Sequence, residues 1–383
     1  MKKGLLTFLF TILLLPFIQQ CFPFITSAQL NGYIDYAANT EFSWTKWFDG
    51  SYQQGKEKYC NDWTGFRPDL VRLSNQINYS FFNRISSGGG YIGLNNCLFF
   101  FNYIDAYNGS DFVGEPIIFK KLVMLKAIQD TLAHLGKSLI VVHAPNKAFF
   151  YPECIPEPYR RQNPANNLQS YLRIGDSLGI NQINFNGWFV SMKNTSKELL
   201  LSKQGTHWTN YGAFIGGDSL VRYIEKLRNI QMLHPVCYGI THTNKPSNPD
   251  ADIADLANLI FPVADETFSY PNFTYIEDST KKKPRIVFIG DSFVVNMLKN
   301  WTLQGVTTDW QFWFSFKYVL NSNNPNVSSG SPLIEHFDWQ DEIDKTDCVV
   351  LMYTSINLCI DRNNFGSGFI EQEYNHYFPS AND

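Results

Sequence analysis

The sequence predicts an α/β fold with a mostly parallel central sheet, and three observations predict it. Short β-branched apolar runs, SLIVVH (138–143), RIVFI (285–289) and DCVVLMY (347–353), are the continuous hydrophobic text of strands buried on both faces. Segments with apolar residues at helical spacing lie between them, so strands alternate with helices and the sheet is covered on both sides. Gly136 and Gly179 stop two of those helices, and Pro145 breaks the first strand. In such sheets the active site sits at the carboxyl ends of the strands.

Hydrophobic residues make up 44% of the 383 and charged residues 17%, which supports a sizeable core and excludes global disorder. Aromatics reach 16%; core packing is their default use, although the same rings stack on sugars. Net charge is −4 and the one basic run is Lys281–Lys283, so no nucleic-acid-binding surface is expected. None of the seven cysteines forms a CxxC pair, so no Cys-type zinc site, and no metal or cofactor, is expected. Cys21 lies in the N-terminal apolar segment; the other six are either free and buried or paired in a pattern that cannot be read from spacing.

Taken in order, residues 1–28 read as a signal anchor or signal peptide. Lys2 and Lys3 precede an uncharged run from Gly4 to Ile25, the layout of an export signal. An uncleaved anchor in the inner membrane is expected; Thr26-Ser27-Ala28 is the cleavage site of the alternative. Positive charge stays inside, so everything after about residue 28 is expected outside the cytoplasm, in the periplasm. Residues 29–112 form an irregular lead packing on the core. Within it, Asp69–Phe82 carries Leu70, Leu73, Ile77 and Phe81 at helical spacing, Ser86–Gly90 is a turn or flexible loop, and Tyr91–Phe101 is a strand or hairpin. The core spans 113–365, with helices over 116–135, 167–178, 211–227 and 293–303, and a strand within 180–189. Residues 366–383 are a tail.

Three strand-end places carry candidate chemistry. At Gly290-Asp291-Ser292 a buried strand meets a helix, so Ser292 lies where free N–H groups and the dipole favour negative charge. That suits a nucleophile beside an oxyanion site; equally, Asp291 and Ser292 are ordinary helix caps. His207, in GTHWTNYGA (205–213), is the most site-like of the seven histidines, with His143 at a strand end its competitor. Serine needs such a base. After the last strand, Asn357 is either an oxyanion donor or a turn residue.

Together these pieces resemble the SGNH-hydrolase-like domain of the AlgJ/AlgX-type alginate O-acetyltransferases. GDSF (290–293) and THWTNYGA (206–213) look like that family's motifs. WFDGSYQQGKEKYCNDWTGFRPDLVRLSNQINY (47–79) looks like its N-terminal lead, and VVHAPNKAFFYPECIP (141–156) resembles its strand and Pro-x-Lys segment. The resemblance implies a three-layer SGNH fold with circularly permuted motif order, His before Ser. It implies Ser292 as nucleophile, His207 as general base, Gly290 and Asp291 as support for the turn, and Asn357 in the place of a "GxN" block where Ser355 replaces Gly.

One departure matters. The family has Asp two residues before its His, and this chain has Gly205. Either another carboxylate reaches His207, with Glu198, Asp176 or Asp361 the candidates, or a Ser-His dyad acts alone, or catalysis is lost. The resemblance implies acetyl transfer to hydroxyls of an exported polysaccharide, with acetyl supplied by a multipass membrane O-acyltransferase partner. An acetylesterase or a polysaccharide-binding scaffold is the alternative.

Overall fold

The structure is a computed structural model and describes residues 2–32, 35–85, 89–161, 165–261, 263, 265–300, 306–321, 331–359, 365–366 and 368–379. The chain divides into two compact units, Met1–Ile92 with Ile253–Val263, and Gly93–Asp252 with Ala264–Asp383.

In the first unit, α1 (Lys2–Cys21) is uncharged beyond its two lysines and is the one helix among the described residues long and apolar enough to cross a membrane. Its last turn is closed by Gln19, whose amide oxygen accepts from the Phe24 and Ile25 N–H groups. The lead that follows is helical: α2 (Ser51–Trp63) and α3 (Arg67–Phe82). Pro68 sits in the first turn of α3, where its missing N–H costs nothing. Residues 86–88 of the expected loop lie outside the described residues.

The second unit holds the sheet. Its strands are β1 (Ser138–His143), β2 (Gln182–Asn184), β5 (Ile286–Gly290), β6 (Trp310–Phe314), β7 (Tyr318–Asn321) and β8 (Cys348–Tyr353), in the spatial order β2-β1-β8-β5-β6-β7. All neighbours run parallel except the edge strand β7. The central strands β1, β8 and β5 are buried along nearly their whole length, which is why their sequences read as unbroken apolar runs. One face, with Leu139, Val141, Val287, Ile289, Val349 and Leu351, packs in a single core with α4 (Glu115–His134), α5 (Asn167–Leu178) and α9 (Phe369–Tyr377). The alternate residues point to the opposite face. There α7 (Asn210–Arg228) packs against α8 (Ser292–Asn300). This is the three-layer arrangement expected.

Two features differ from the expectation. The strand within 180–189 shrinks to β2 and gives way to α6 (Phe185–Met192), because the Asn184 side chain caps that helix by accepting from the Gly187 N–H at 2.8 Å. The polar text between α7 and β5 forms an antiparallel ribbon, β3 (Val236–Thr243) with β4 (Phe268–Thr274). Residues 301–303 of the expected last core helix lie outside the described residues. Cys97, Cys154 and Cys348 are buried thiols and Cys21, Cys60 and Cys237 exposed ones, none of them in a disulfide.

Candidate active site

Strand β5 runs into α8 through Gly290-Asp291. A Cβ on Gly290 would lie 2.0 Å from the Met352 carbonyl oxygen, so only glycine lets β5 and β8 approach there. Asp291 then organises the turn. Its Oδ1 accepts from the Phe293 N–H at 3.1 Å. Its Oδ2 accepts from the Thr354 N–H at 2.7 Å, the Thr354 hydroxyl at 2.9 Å and the Asn357 amide at 2.8 Å. Asn357 therefore braces the Ser292 turn from the end of β8, with one amide proton committed to Asp291. Ser292 opens α8, where a first-turn N–H has no intrahelical acceptor.

His207 comes from the loop before α7. Thr209 caps that helix, its hydroxyl accepting from the Gly212 N–H at 3.0 Å, and Trp208 is fully buried beneath. A Cβ on Gly212 would meet the Leu200 carbonyl oxygen at 2.6 Å, and one on Gly216 would meet the Trp208 ring at 2.8 Å, which explains the run of small residues at the helix start. The imidazole lies over the Phe293 ring, centroids 4.7 Å apart. Its Nε2 is 2.7 Å from Ser292 Oγ.

The ring's other nitrogen, Nδ1, is 2.7 Å from Asp252 Oδ2. Sequence reasoning did not find this carboxylate. With the proton on Nδ1, as a carboxylate partner requires, Nε2 is left to accept from the Ser292 hydroxyl. The other Asp252 oxygen accepts from the Thr206 N–H at 2.6 Å. Asp252 sits at the end of a loop whose start is pinned by buried Asp250, which accepts from both the Asn210 N–H (2.8 Å) and its amide (2.9 Å). Burial raises the Asp250 carboxyl above its ordinary range, against the pull of those donors.

Gly205 explains how the acid reaches the ring. A Cβ there would lie 2.5 Å from the Asp250 carbonyl oxygen and 3.1 Å from that of Pro249. The 249–252 loop occupies the space a side chain at 205 would need, and the same loop delivers Asp252. Gly205→Ala is accordingly expected to cost about 1–3 kcal/mol through overpacking, read as a lower urea midpoint with an unchanged slope.

The acids considered from sequence do not reach His207. Glu198 pairs with His242 Nε2 at 2.9 Å and accepts from the Ser269 hydroxyl. Asp176 accepts from the Gln182 amide at 2.6 Å. Glu198 is held by residues 44 and 71 positions further along the chain, and Asp176 by one six residues on. Asp361 lies outside the described residues. The competing base, His143, is buried against Gln182 at 3.2 Å, and burial pushes its pKa down to about 4. Among the described residues no cluster of His, Cys, Asp or Glu has the makings of a metal site.

Residues 103–309, which contain Ser292, His207 and Asp252, match the family described as SGNH hydrolase-like domain, acetyltransferase AlgX. No curated protein sequence matches significantly. Among solved structures, the O-acetyltransferase domain of Pseudomonas putida AlgJ is similar at 14% identity and TM-score 0.48, covering 75% of this chain and 99% of its own. Pseudomonas aeruginosa AlgX is similar at 13% and 0.43, covering 69% of this chain and 61% of its own. Bacillus cereus PatB1 follows at 12% and 0.40, covering 66% and 93%. The family match takes in more than half of the sequence, and the chain belongs to the SGNH hydrolase-like acetyltransferases of the AlgX family.

Proposed function

We propose that this chain transfers acetyl groups through Ser292 to hydroxyls of an exported polysaccharide. The observation that carries the reading is the unbroken hydrogen-bond chain Asp252–His207–Ser292 at the carboxyl end of a parallel sheet. His207 Nε2 takes the Ser292 proton as Oγ attacks the acetyl carbonyl of an ester or thioester. Asp252 holds the ring and stabilises the imidazolium. The developing oxyanion lies beside the Ser292 N–H at the start of α8. The leaving group departs with the proton from His207, leaving acetyl-serine. A sugar hydroxyl then gives its proton to His207 and takes the acetyl group, and Ser292 regains its proton. Water in the second step makes the same site an esterase.

The apolar α1, with Lys2 and Lys3 ahead of it, supports an inner-membrane anchor that leaves the acetyl-transfer unit in the periplasm. A multipass membrane O-acyltransferase is the partner that would bring acetyl to that side. The test is to incubate the full chain with an activated acetyl ester and weigh the protein. One acetyl on Ser292, absent from Ser292→Ala and discharged onto added oligosaccharide, is the expected result. No adduct from any activated donor sinks acyl transfer; discharge only to free acetate makes the protein an esterase.

A further inference from the structure

We propose that Lys147 is a positioning residue that fixes the His207 loop and couples its charge to the Asp252–His207 pair through a single peptide group. This rests on the acyl-transfer reading of the Ser292 site, though its test does not need turnover.

Lys147 follows β1, in the turn capped by Asn146, and is 1% exposed. A lysine is almost never buried without a partner of opposite charge. Among the described residues Lys147 makes no ion pair. Its Nζ instead donates to two carbonyl oxygens, those of Lys203 (2.7 Å) and Gly205 (2.6 Å), and lies 5.4 Å from the centroid of the Phe99 ring. The segment so held is the one that leads into His207. Its amide side is held too: Glu266 accepts from the Ser202 hydroxyl (2.9 Å), the Lys203 N–H (3.0 Å) and the Gln204 amide (3.2 Å).

One peptide unit matters most. The Gly205 carbonyl accepts from Lys147, and the N–H of the same peptide, on Thr206, donates to Asp252 Oδ1. In a trans peptide these two groups point in opposite directions, so the ammonium and the carboxylate sit at either end of one polarised amide. Hydrogen bonds in series strengthen one another. The series runs Lys147, peptide 205–206, Asp252, His207, Ser292. The cation makes the Thr206 N–H a stronger donor, so Asp252 holds its charge more firmly and is a weaker proton acceptor toward the ring. It also opposes the imidazolium directly. Both effects act in one direction, and removing the charge raises the proton affinity of the Asp252–His207 pair.

The groups facing these sites come from several elements. Around Lys147 they are Asp252 and Glu266, which favour the ammonium against the burial that pushes its pKa down, with the Cys97 and Cys154 thiols beside them. Asp250 faces Asp252, and Tyr103 faces both Asp252 and Asp291 while contacting Thr206 and Thr354.

The experiment is a 13C NMR titration of the His207 ring in the full chain, with the signal assigned by His207→Gln. In Lys147→Met, which keeps length and loses charge, the His207 titration is expected to move up by about half a pH unit or more; in Lys147→Arg it stays close to the unmodified protein. With an activated acetyl ester, Lys147→Met is expected to lower kcat with little change in KM and to shift the acid limb of the profile upward. A folded Lys147→Met whose His207 titrates as in the unmodified protein overturns the proposal. If that variant does not fold, the unmodified protein carries the test: the Thr206 amide resonance must step as Lys147 Nζ loses its proton, and the absence of a step overturns it equally. A shifted titration without acetylation of Ser292 would leave this coupling standing and remove the acyl-transfer reading instead.

Discussion

Asp252→Asn is expected to lower the rate of Ser292 acetylation by about four powers of ten. The carboxylate accepts the Nδ1 proton of His207 through Oδ2 and the Thr206 N–H through Oδ1. An amide keeps the shape but fills at most one of these roles with an oxygen. Thr206 presents only a donor, so the amide oxygen stays with it and the NH2 group faces Nδ1. The ring then carries its proton on Nε2, where it cannot take one from Ser292. Binding of the donor is untouched, so KM holds and the loss falls on kcat. Two controls give the result its meaning. Glu198→Gln and Asp176→Asn remove carboxylates that are bound to His242, Ser269 and Gln182, and neither is expected to change the rate. Single-turnover acetylation by an activated ester, followed by mass, measures all three. A wild-type rate in Asp252→Asn, or a large loss in either control, would place the orienting acid elsewhere.

The misplaced acid shows what a single sequence can carry. The central strands were legible because burial on both faces leaves only apolar residues, and Ser292 was legible because a strand ending in glycine before a helix is a local event. The small residues after Trp208 announced close packing, and Gly212 and Gly216 do meet Leu200 and the indole. Asp252 had no such mark. It stands 45 residues after His207 in the chain, beyond a ribbon strand, and its approach depends on a loop that returns from outside the αβ alternation. The one available signal was Gly205, read as an absent carboxylate. In the structure it is a glycine because another backbone lies against it, and that backbone supplies the carboxylate. The ribbon β3–β4 was missed for a related reason: β3 is largely exposed and β4 is only partly buried, so neither full burial nor strict alternation shaped their residues.

The second large effect concerns what lies under the site. Trp208→Ala is expected to cost about 3–5 kcal/mol, the range for removing a fully buried large aromatic. The indole is 0% exposed and touches the rings of Phe185, Phe189 and Phe293, at centroid distances of 5.9, 5.9 and 5.8 Å. Phe293 in turn supports the His207 ring and follows Ser292, so one indole underlies both His207 and Ser292. Its loss leaves a cavity among rings that are too rigid to collapse into it, and the expected fall in melting temperature is roughly 10 °C. Trp208→Phe separates volume from polarity. Among the described residues the indole N–H has no hydrogen-bond partner, so replacing it with phenyl removes an unsatisfied buried donor while keeping most of the packing, and the cost is expected below about 1.5 kcal/mol. Calorimetry on both variants, with Ser292 acetylation measured well below the melting point, distinguishes a support that only stabilises from one that also aligns. Because Phe293 loses one wall in the alanine variant but not in the phenylalanine one, acetylation should slow in the first and hold in the second; equal rates in both would mean that the Asp252 and Thr206 hydrogen bonds alone keep His207 on Ser292.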